Sequence, residues 1–290
     1  MNNIYKTDLL FKVLKRVLLF VLIFTVALEF YAVSDQSRLV VTEYNYKTEK
    51  TDASFKFVLL ADLHNKQFGN DNDRLVAKVR AQDPEFIVIA GDMVVKTSDD
   101  ISVAVGLVRR LSEIAPVYYT YGNHEQFMEA LDPEPFLAEA GAIMLNNKMV
   151  KYTVDGDEII IGGLKQYPFY EFDAPNYENE ERYFFDDFLE AQKDEFSLLI
   201  CHYPEAYCWG LKEYNIDLML AAHAHGGIIR LPFLGGMYVP DRGWFGGYDK
   251  GFYSTDTATM LVTTGLGQSN SVPRINNPPE ICVVNINPNK

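Results

Sequence analysis

Cysteine is scarce in this chain: three in 290 residues, with no CxxC spacing among them. That excludes a thiolate zinc knuckle and a disulfide framework. Cys201 and Cys282 sit inside apolar runs and read as small core residues, Cys208 is less covered, and a Cys201–Cys208 bridge is not expected. Positive charge is also short. Lys and Arg number 26 against 40 Asp and Glu, giving a formal net charge of −14. Such a chain repels a phosphate backbone, so nucleic-acid binding is not expected, and a phosphate-bearing substrate would need bound cations to attract it. The two tryptophans, Trp209 and Trp244, read as packing residues. No internal repeat and no low-complexity tract is present, and the oligomeric state is not legible.

A long apolar run occurs once, near the start. Lys6, Lys12, Lys15 and Arg16 precede the stretch from Val17 to Val33, which is about 25 Å long as a helix at ~1.5 Å per residue against a bilayer core of ~30 Å. Basic residues ahead of an apolar block predict a cytoplasmic N-terminus and export of the downstream chain. The expectation is a membrane anchor or signal segment over residues 1–34, a linker or stalk over 35–54 and a catalytic domain over 55–290. The body is placed outside the cytoplasm at the cell membrane. Open alternatives are a cleaved signal peptide with Ala32 and Ser34 near the cut, hence a secreted body, and a buried core helix. Residues 35–54 read equally as a stalk or an edge strand.

From Phe55 a pattern recurs. Short, fully apolar runs of the kind covered on both faces of a sheet each end in polar residues suited to bind metal. Phe55–Ala61 ends in Asp62-Leu63-His64, and Phe86–Ala90 in Gly91-Asp92. Pro116–Gly122 ends in Asn123-His124-Glu125, Phe196–Cys201 in His202, and Asp217–Ala222 in His223-Ala224-His225. All five histidines of the chain lie on these ends. In open α/β sheets the C-terminal strand edge is where ligands bind.

Between the strands, helices are expected near Asp73–Ala81, near Ile101–Ile114 with Asp99 or Asp100 as N-cap, and near Pro135–Ala140 with Gly141 closing it. Others are expected near Phe184–Ala191 and Pro204–Tyr214. Met149–Val154 and Asp157–Ile161 around Asp155-Gly156 predict a hairpin with a type I′ turn. Residues 164–184 and Leu231–Tyr253 read as aromatic-rich loops, and Thr257–Thr264 and Ile281–Ile286 as antiparallel strands.

Carboxylate, imidazole and carboxamide ligands without thiolate suit divalent Mn, Fe, Zn, Ni or Co, and seven of them exceed what one ion needs. Two ions sharing a carboxylate use such a set, with Asp92 as the natural bridge. Two cations ~3.5–4 Å apart clamp a phosphorus centre and activate water.

In this order the motifs resemble those of the calcineurin-like metallophosphoesterases, whose pattern is D-x-H, G-D, G-N-H-[DE], a lone H, and G-H-x-H. The tail, with Gly226-Gly227, Pro273-Arg274 and Pro279-Glu280-Ile281, looks like the bacterial membrane-associated branch of YkuE-type phosphodiesterases. The resemblance covers about residues 55–287. It implies a four-layer α/β/β/α sandwich with a dinuclear site at the C-terminal strand ends. It implies Asp62, His64 and His225 on one metal, Asn123, His202 and His223 on the other, and Asp92 between them. His124 would bind no metal and would instead protonate the leaving oxygen, a role suited to imidazole. Arg274 is a candidate phosphate contact, or else a surface salt bridge.

Three departures stand out. The second Asp of the family's G-D-x-x-D, which steadies the catalytic His, is Val95 here, so Asp99 or Asp100 would have to reach back. Ala222 replaces a glycine, and Ala224 and Ile228 replace polar residues near the substrate. The expected function is an exported phosphoesterase acting on phosphodiester or pyrophosphate bonds of an envelope or lipid-linked substrate, by attack of metal-bound hydroxide. The alternatives are a phosphomonoesterase or phosphoprotein phosphatase, and a non-catalytic metal-binding interaction module.

Overall fold

The computed structural model describes residues 2–165, 180–269 and 272–289, with side chains described from residue 11. In chain order the elements begin with α1 (Asn2–Ser37), β1 (Val40–Thr48), β2 (Phe55–Leu60), α2 (Asp73–Arg80), β3 (Phe86–Ile89), α3 (Ser102–Ser112), β4 (Val117–Tyr119), α4 (Asn123–Gln126), α5 (Glu134–Glu139) and β5 (Ala142–Met144). They continue with β6 (Lys148–Val154), β7 (Asp157–Leu164), α6 (Glu180–Ala191), β8 (Phe196–Cys201), α7 (Pro204–Trp209) and β9 (Ile216–Ala221). Two small hairpins come next, β10 (Arg230–Leu231) with β11 (Gly235–Gly236) and β12 (Tyr238–Val239) with β13 (Gly243–Trp244). The chain closes with β14 (Gly251–Ser254), β15 (Ala258–Val262) and β16 (Glu280–Pro288).

Two six-stranded mixed sheets form, in the orders β1-β16-β2-β3-β4-β5 and β14-β15-β9-β8-β7-β6. Because side chains alternate across a strand, each sheet is apolar on both faces. Phe57, Leu59 and Val88 of the first sheet pack against Ile159, Ile161, Leu198 and Ile200 of the second. Val58, Leu60, Ile87 and Ile89 face outward onto Leu75 and Val79 of α2, Leu107 and Leu111 of α3, and Leu137 of α5. On the far side Ile160, Leu199 and Met219 pack on Phe185 and Phe188 of α6 and Tyr207 of α7. The layering is therefore helix, sheet, sheet, helix, the sandwich the sequence implied.

Val40–Thr48 is the edge strand rather than the stalk: β1 pairs residue by residue with β16. The 155–156 turn carries positive φ at both residues, 50° and 95°, which is the type I′ geometry. Several boundaries differ. α6 is already helical at Glu180, where the described residues resume, ahead of the expected Phe184. α7 stops at Trp209, and beyond Gly210 only a 3-10 turn, Leu211–Glu213, continues it. β15 and β16 are not purely antiparallel, since β15 runs parallel to β9 and β16 parallel to β1. The two tryptophans are not packed inside: Trp209 and Trp244 are exposed. Most of the aromatic loop expected over 164–184 lies outside the described residues. All three cysteines are free.

Candidate metal centre

The polar residues that terminate five strands converge where the two sheets pack. Asp62 and His64 follow β2, Asp92 follows β3, Asn123 and His124 open α4 beyond β4, His202 follows β8, and His223 and His225 follow β9. The backbone is forced to turn sharply here. Asp62, His64, Asp92, His223 and His225 have φ between 47° and 60°, the left-handed region that non-glycine residues rarely occupy. Such strain, of order 1–3 kcal/mol per residue, persists where the surroundings hold it and concentrates at functional sites. Gly91 and Gly122 permit the closest approach. A Cβ on Gly91 would stand 2.1 Å from the Gly122 nitrogen, and one on Gly122 would stand 2.3 Å from Asp92 Oδ1.

The side chains gather into overlapping groups. Asp62, His64 and His225 offer ligand atoms within 4.8 Å of one another, as do Asp92, His202 and His223, and a third group, His64, Asp92 and His124, overlaps both. Asp92 Oδ2 lies between the two, 3.8 Å from His64 Nε2 and 3.3 Å from His202 Nε2. Both Asp62 oxygens, His64 Nε2, Asn123 Oδ1, His202 Nε2, His223 Nδ1 and His225 Nδ1 are buried without a hydrogen-bond partner. Buried polar atoms are nearly always paired. Orphans on this many adjacent residues, all N or O, fit a divalent metal centre of the hard to borderline kind.

The imidazoles are pre-oriented. His64 Nδ1 faces the Val94 carbonyl at 3.3 Å and His202 Nδ1 the Ala90 carbonyl at 2.6 Å, so each can donate outward and leave Nε2 as the free lone pair. His223 is turned the other way, with Nε2 on Asp241 Oδ2 at 2.9 Å and Nδ1 inward. Burial lowers the His64 pKa to about 4 and holds His225 well below its ordinary range. Both are thus in the neutral, ligating form. Burial would also lower His202, but Asp92 and Asp62 beside it hold it up to about 10. Burial raises Asp62 to about 7, with His202 working against it. Of His64, His202 and His225, only His202 is held in the charged form, and a metal bound at its Nε2 would displace that proton.

His124 groups with His64 and Asp92 within this cluster, but its Nδ1 is already engaged by a backbone amide. Its ring stands edge-on to His64 with centroids 4.5 Å apart, and it contributes no atom to the orphaned set. Its Nδ1 accepts the Lys96 backbone N–H at 3.1 Å. That amide orients the ring where Val95 stands in place of a carboxylate. Asp100 does not reach back; its Oδ1 accepts the Ser102 N–H at the start of α3.

Arg274 is neither a phosphate contact nor a surface salt bridge. It is fully buried, and its guanidinium donates to the carbonyls of Thr264, Gly265, Gly267 and Asn277. These carbonyls belong to the loop wrapped around Asp62: a Cβ on Gly265 would stand 2.4 Å from Asp62 Oδ2. Three supports had no assigned role in the sequence. Glu125 accepts the N–H groups of Asp92, Met93 and Gly122 and the Tyr119 hydroxyl. Asn277 donates to the His225 and Ile228 carbonyls. Asp241 holds His223. Glu125 was visible as the last letter of its motif; Asp241 and Asn277 lie in aperiodic loops and carry no sequence signal.

Residues 55–227 match the family model described as calcineurin-like phosphoesterase. The metallophosphoesterase YkuE of Bacillus subtilis strain 168, itself uncharacterized, is 28% identical over 238 residues, 79% of this chain and 78% of that protein. The phosphodiesterase YaeI of Escherichia coli K12 is 24% identical over 252 residues, 81% of this chain and 83% of that protein. Among solved structures, a dimetal phosphatase from Danio rerio aligns with a TM-score of 0.45 and 12% identity, over 74% of this chain and 89% of that one.

Proposed function

The chain belongs to the calcineurin-like phosphoesterase family and is a metal-dependent phosphoesterase, and from that premise we propose a membrane-anchored enzyme using two divalent ions to cleave phosphodiester or pyrophosphate bonds. The observation that supports the number two is that two of the three donor groups, Asp62–His64–His225 and Asp92–His202–His223, share no residue and are rich in buried, orphaned atoms. Asp62, His64 and His225 would hold one ion and Asn123, His202 and His223 the other, with Asp92 shared between them. Such ions supply Lewis-acid polarisation of the phosphoryl group and a nucleophile at neutral pH.

The chain's own chemistry falls to His124. With Nδ1 accepting from the Lys96 amide, the neutral ring carries its proton on Nε2. There it donates to the phosphoryl group and passes the proton to the leaving oxygen.

α1 is the anchor in this reading. Its apolar side chains from Val17 to Val33 stand exposed in large part, over a helix long and apolar enough to cross a membrane. Its last turn supports an uncleaved anchor over a removed signal. Ala32 and Asp35 are buried, Asp35 Oδ2 accepts the Asn277 N–H at 2.7 Å, and the Gln36 carbonyl accepts Lys66 Nζ. The catalytic body then begins at β1. A lipid-linked envelope substrate is favoured by this anchor and by the exposed Phe233, Trp244 and Phe245 of the 231–253 segment.

The test is Mn-dependent hydrolysis of bis-p-nitrophenyl phosphate and p-nitrophenyl phosphate by the full chain in detergent, beside Asp92→Asn and His124→Gln. Both variants should fall to background on the diester, with metal content reduced only in Asp92→Asn. A fully metallated wild type that turns over neither ester would sink the reading in favour of a binding module. Preference for the monoester would favour a phosphomonoesterase. In vesicles, hydrolysis of a lipid phosphodiester no faster than of the soluble diester would remove the lipid-linked substrate.

A further inference from the structure

The histidines of the centre differ in what holds their outer nitrogen. For His64 and His202 it is a backbone carbonyl from the turn after β3 or the end of that strand, Val94 or Ala90. For His223 it is a carboxylate, Asp241 Oδ2 at 2.9 Å. Asp241 sits in the turn between β12 and β13, beyond the 55–227 stretch that the family model matches. Its side chain is 68% exposed, so this bond is made at the mouth of the site and not in the core.

The turn is held in place by the next residue. Arg242 Nε stands 2.7 Å from Glu205 Oε1, whose side chain is wholly buried, and its second guanidinium arm donates to the Tyr248 carbonyl at 3.0 Å. Glu205 is in the first turn of α7, three residues after His202. The ion pair therefore ties the β12–β13 turn to the segment that carries one expected ligand, while Asp241, at φ 60°, reaches another.

We propose that Asp241 is a positioning residue for the metal held by His223. It takes the Nε2–H, fixes the tautomer with the Nδ1 lone pair turned inward, and makes that nitrogen a stronger donor than a carbonyl partner would. The inference rests on reading His223 as a ligand. Its consequence is that one half of the centre is tuned from a surface hairpin, by a residue that touches neither ion nor substrate. Metal occupancy of that half then depends on how the hairpin is seated.

The experiment is Mn²⁺ titration of the full chain in detergent by calorimetry, with thermal melting of the metal-free protein alongside. Asp241→Ala should weaken Mn²⁺ binding in one event by about 10–100-fold, the range for losing such outer partners. The metal-free melting temperature should stay unchanged, and Asp241→Glu should recover most of the affinity. His223→Ala should lose that event outright. Unchanged Mn²⁺ affinity in Asp241→Ala, with the event lost in His223→Ala, overturns the proposal and leaves the ligand assignment standing. A lower metal-free melting temperature in Asp241→Ala, with every event weakened alike, overturns it in favour of a purely structural role. Intact binding in His223→Ala removes the ligand reading itself, and the proposal with it.

Discussion

The centre is supported from two sides by different means. On the sheet side, residues 55–227, the ligands ride on strand ends and their supports come from the turns at those same ends. Val94 and Ala90 steady two imidazoles through backbone carbonyls, and Glu125 gathers the amides of Asp92, Met93 and Gly122. On the loop side, residues 228–280, no expected ligand occurs. Side chains from the loops reach in instead: Asp241 to His223, Asn277 to the His225 carbonyl, and Arg274 to the loop beside Asp62. The difference teaches that the sheets place the donors and the loops set how firmly they stay placed. Breaking a sheet-side support should therefore cost fold and metal together, and breaking a loop-side support should separate the two.

The largest effect should come from Glu125→Ala. The carboxylate is buried at 2% exposure, and its removal strands three amide N–H groups. At about 1–3 kcal/mol for each unsatisfied buried group, a loss of at least about 3 kcal/mol is expected, with Mn²⁺ binding lost in parallel. Thermal melting with and without Mn²⁺ measures both. Loss of metal with the fold intact would blur the distinction between the two sides. Arg274→Lys comes next. A lysine keeps the charge but cannot bridge the spread of carbonyls that the planar fork spans, and about 2 kcal/mol should be lost. Because no ligand bonds directly to Arg274, Mn²⁺ affinity should fall less than stability does. An equal or larger fall in affinity would show that Arg274 supports the centre as directly as the sheet-side residues do.

Legibility in the sequence divides along the same line. The strands were readable because unbroken apolar runs such as Phe86–Ile89 suit a sheet covered on both faces, and both six-stranded sheets are covered so. The convergence of Asp62, His64, Asp92, Asn123, His202, His223 and His225 was readable because each ends such a run. The positive φ of five of them was not, since nothing in an Asp or His announces a strained backbone. Arg274 was misread because a lone arginine near a phosphate site suggests the substrate, whereas its partners are carbonyls up to ten residues earlier in an aperiodic loop. Trp209 and Trp244 were misread because aromatic bulk suggests a core, whereas these two end α7 and β13 outside it and are exposed. α6 already runs at Glu180, where the described residues resume, because Glu180 and Glu181 belong to the helix and were counted with the preceding loop.

A smaller effect should separate anchor from site. Asp35→Ala removes one charge-assisted hydrogen bond to the Asn277 N–H, worth about 1–2 kcal/mol. The last turn of α1 should loosen, and limited proteolysis should cut faster between α1 and β1. Because Asn277 keeps its own bonds to His225 and Ile228, Mn²⁺ affinity should barely change. A marked loss of affinity would mean that the docked helix end is part of the centre.

The mildest test uses pH, on the loop side. Glu280 is fully buried at the start of β16, where burial alone would raise its pKa. Lys250, at 2.8 Å, and the Thr264 N–H outweigh that and hold it at about 2, below its ordinary 4.5. A carboxyl depressed on folding contributes stability that is fully present above its unfolded pKa and is lost as pH falls through its folded one. The window here runs from 4.5 down to about 2. Lys250→Met removes the main attraction, so the folded pKa rises and acid unfolding moves to higher pH, by less than about one unit because the threonine bonds remain. At neutral pH the partly exposed lysine should be worth only about 1 kcal/mol. Since Glu280 also binds the Thr264 amide that leads into the Arg274-held loop, Mn²⁺ affinity measured at pH 7 should track the small stability change and no more. An acid midpoint that does not move would show that the threonines alone hold Glu280 ionised, and that Lys250 is a surface charge near it.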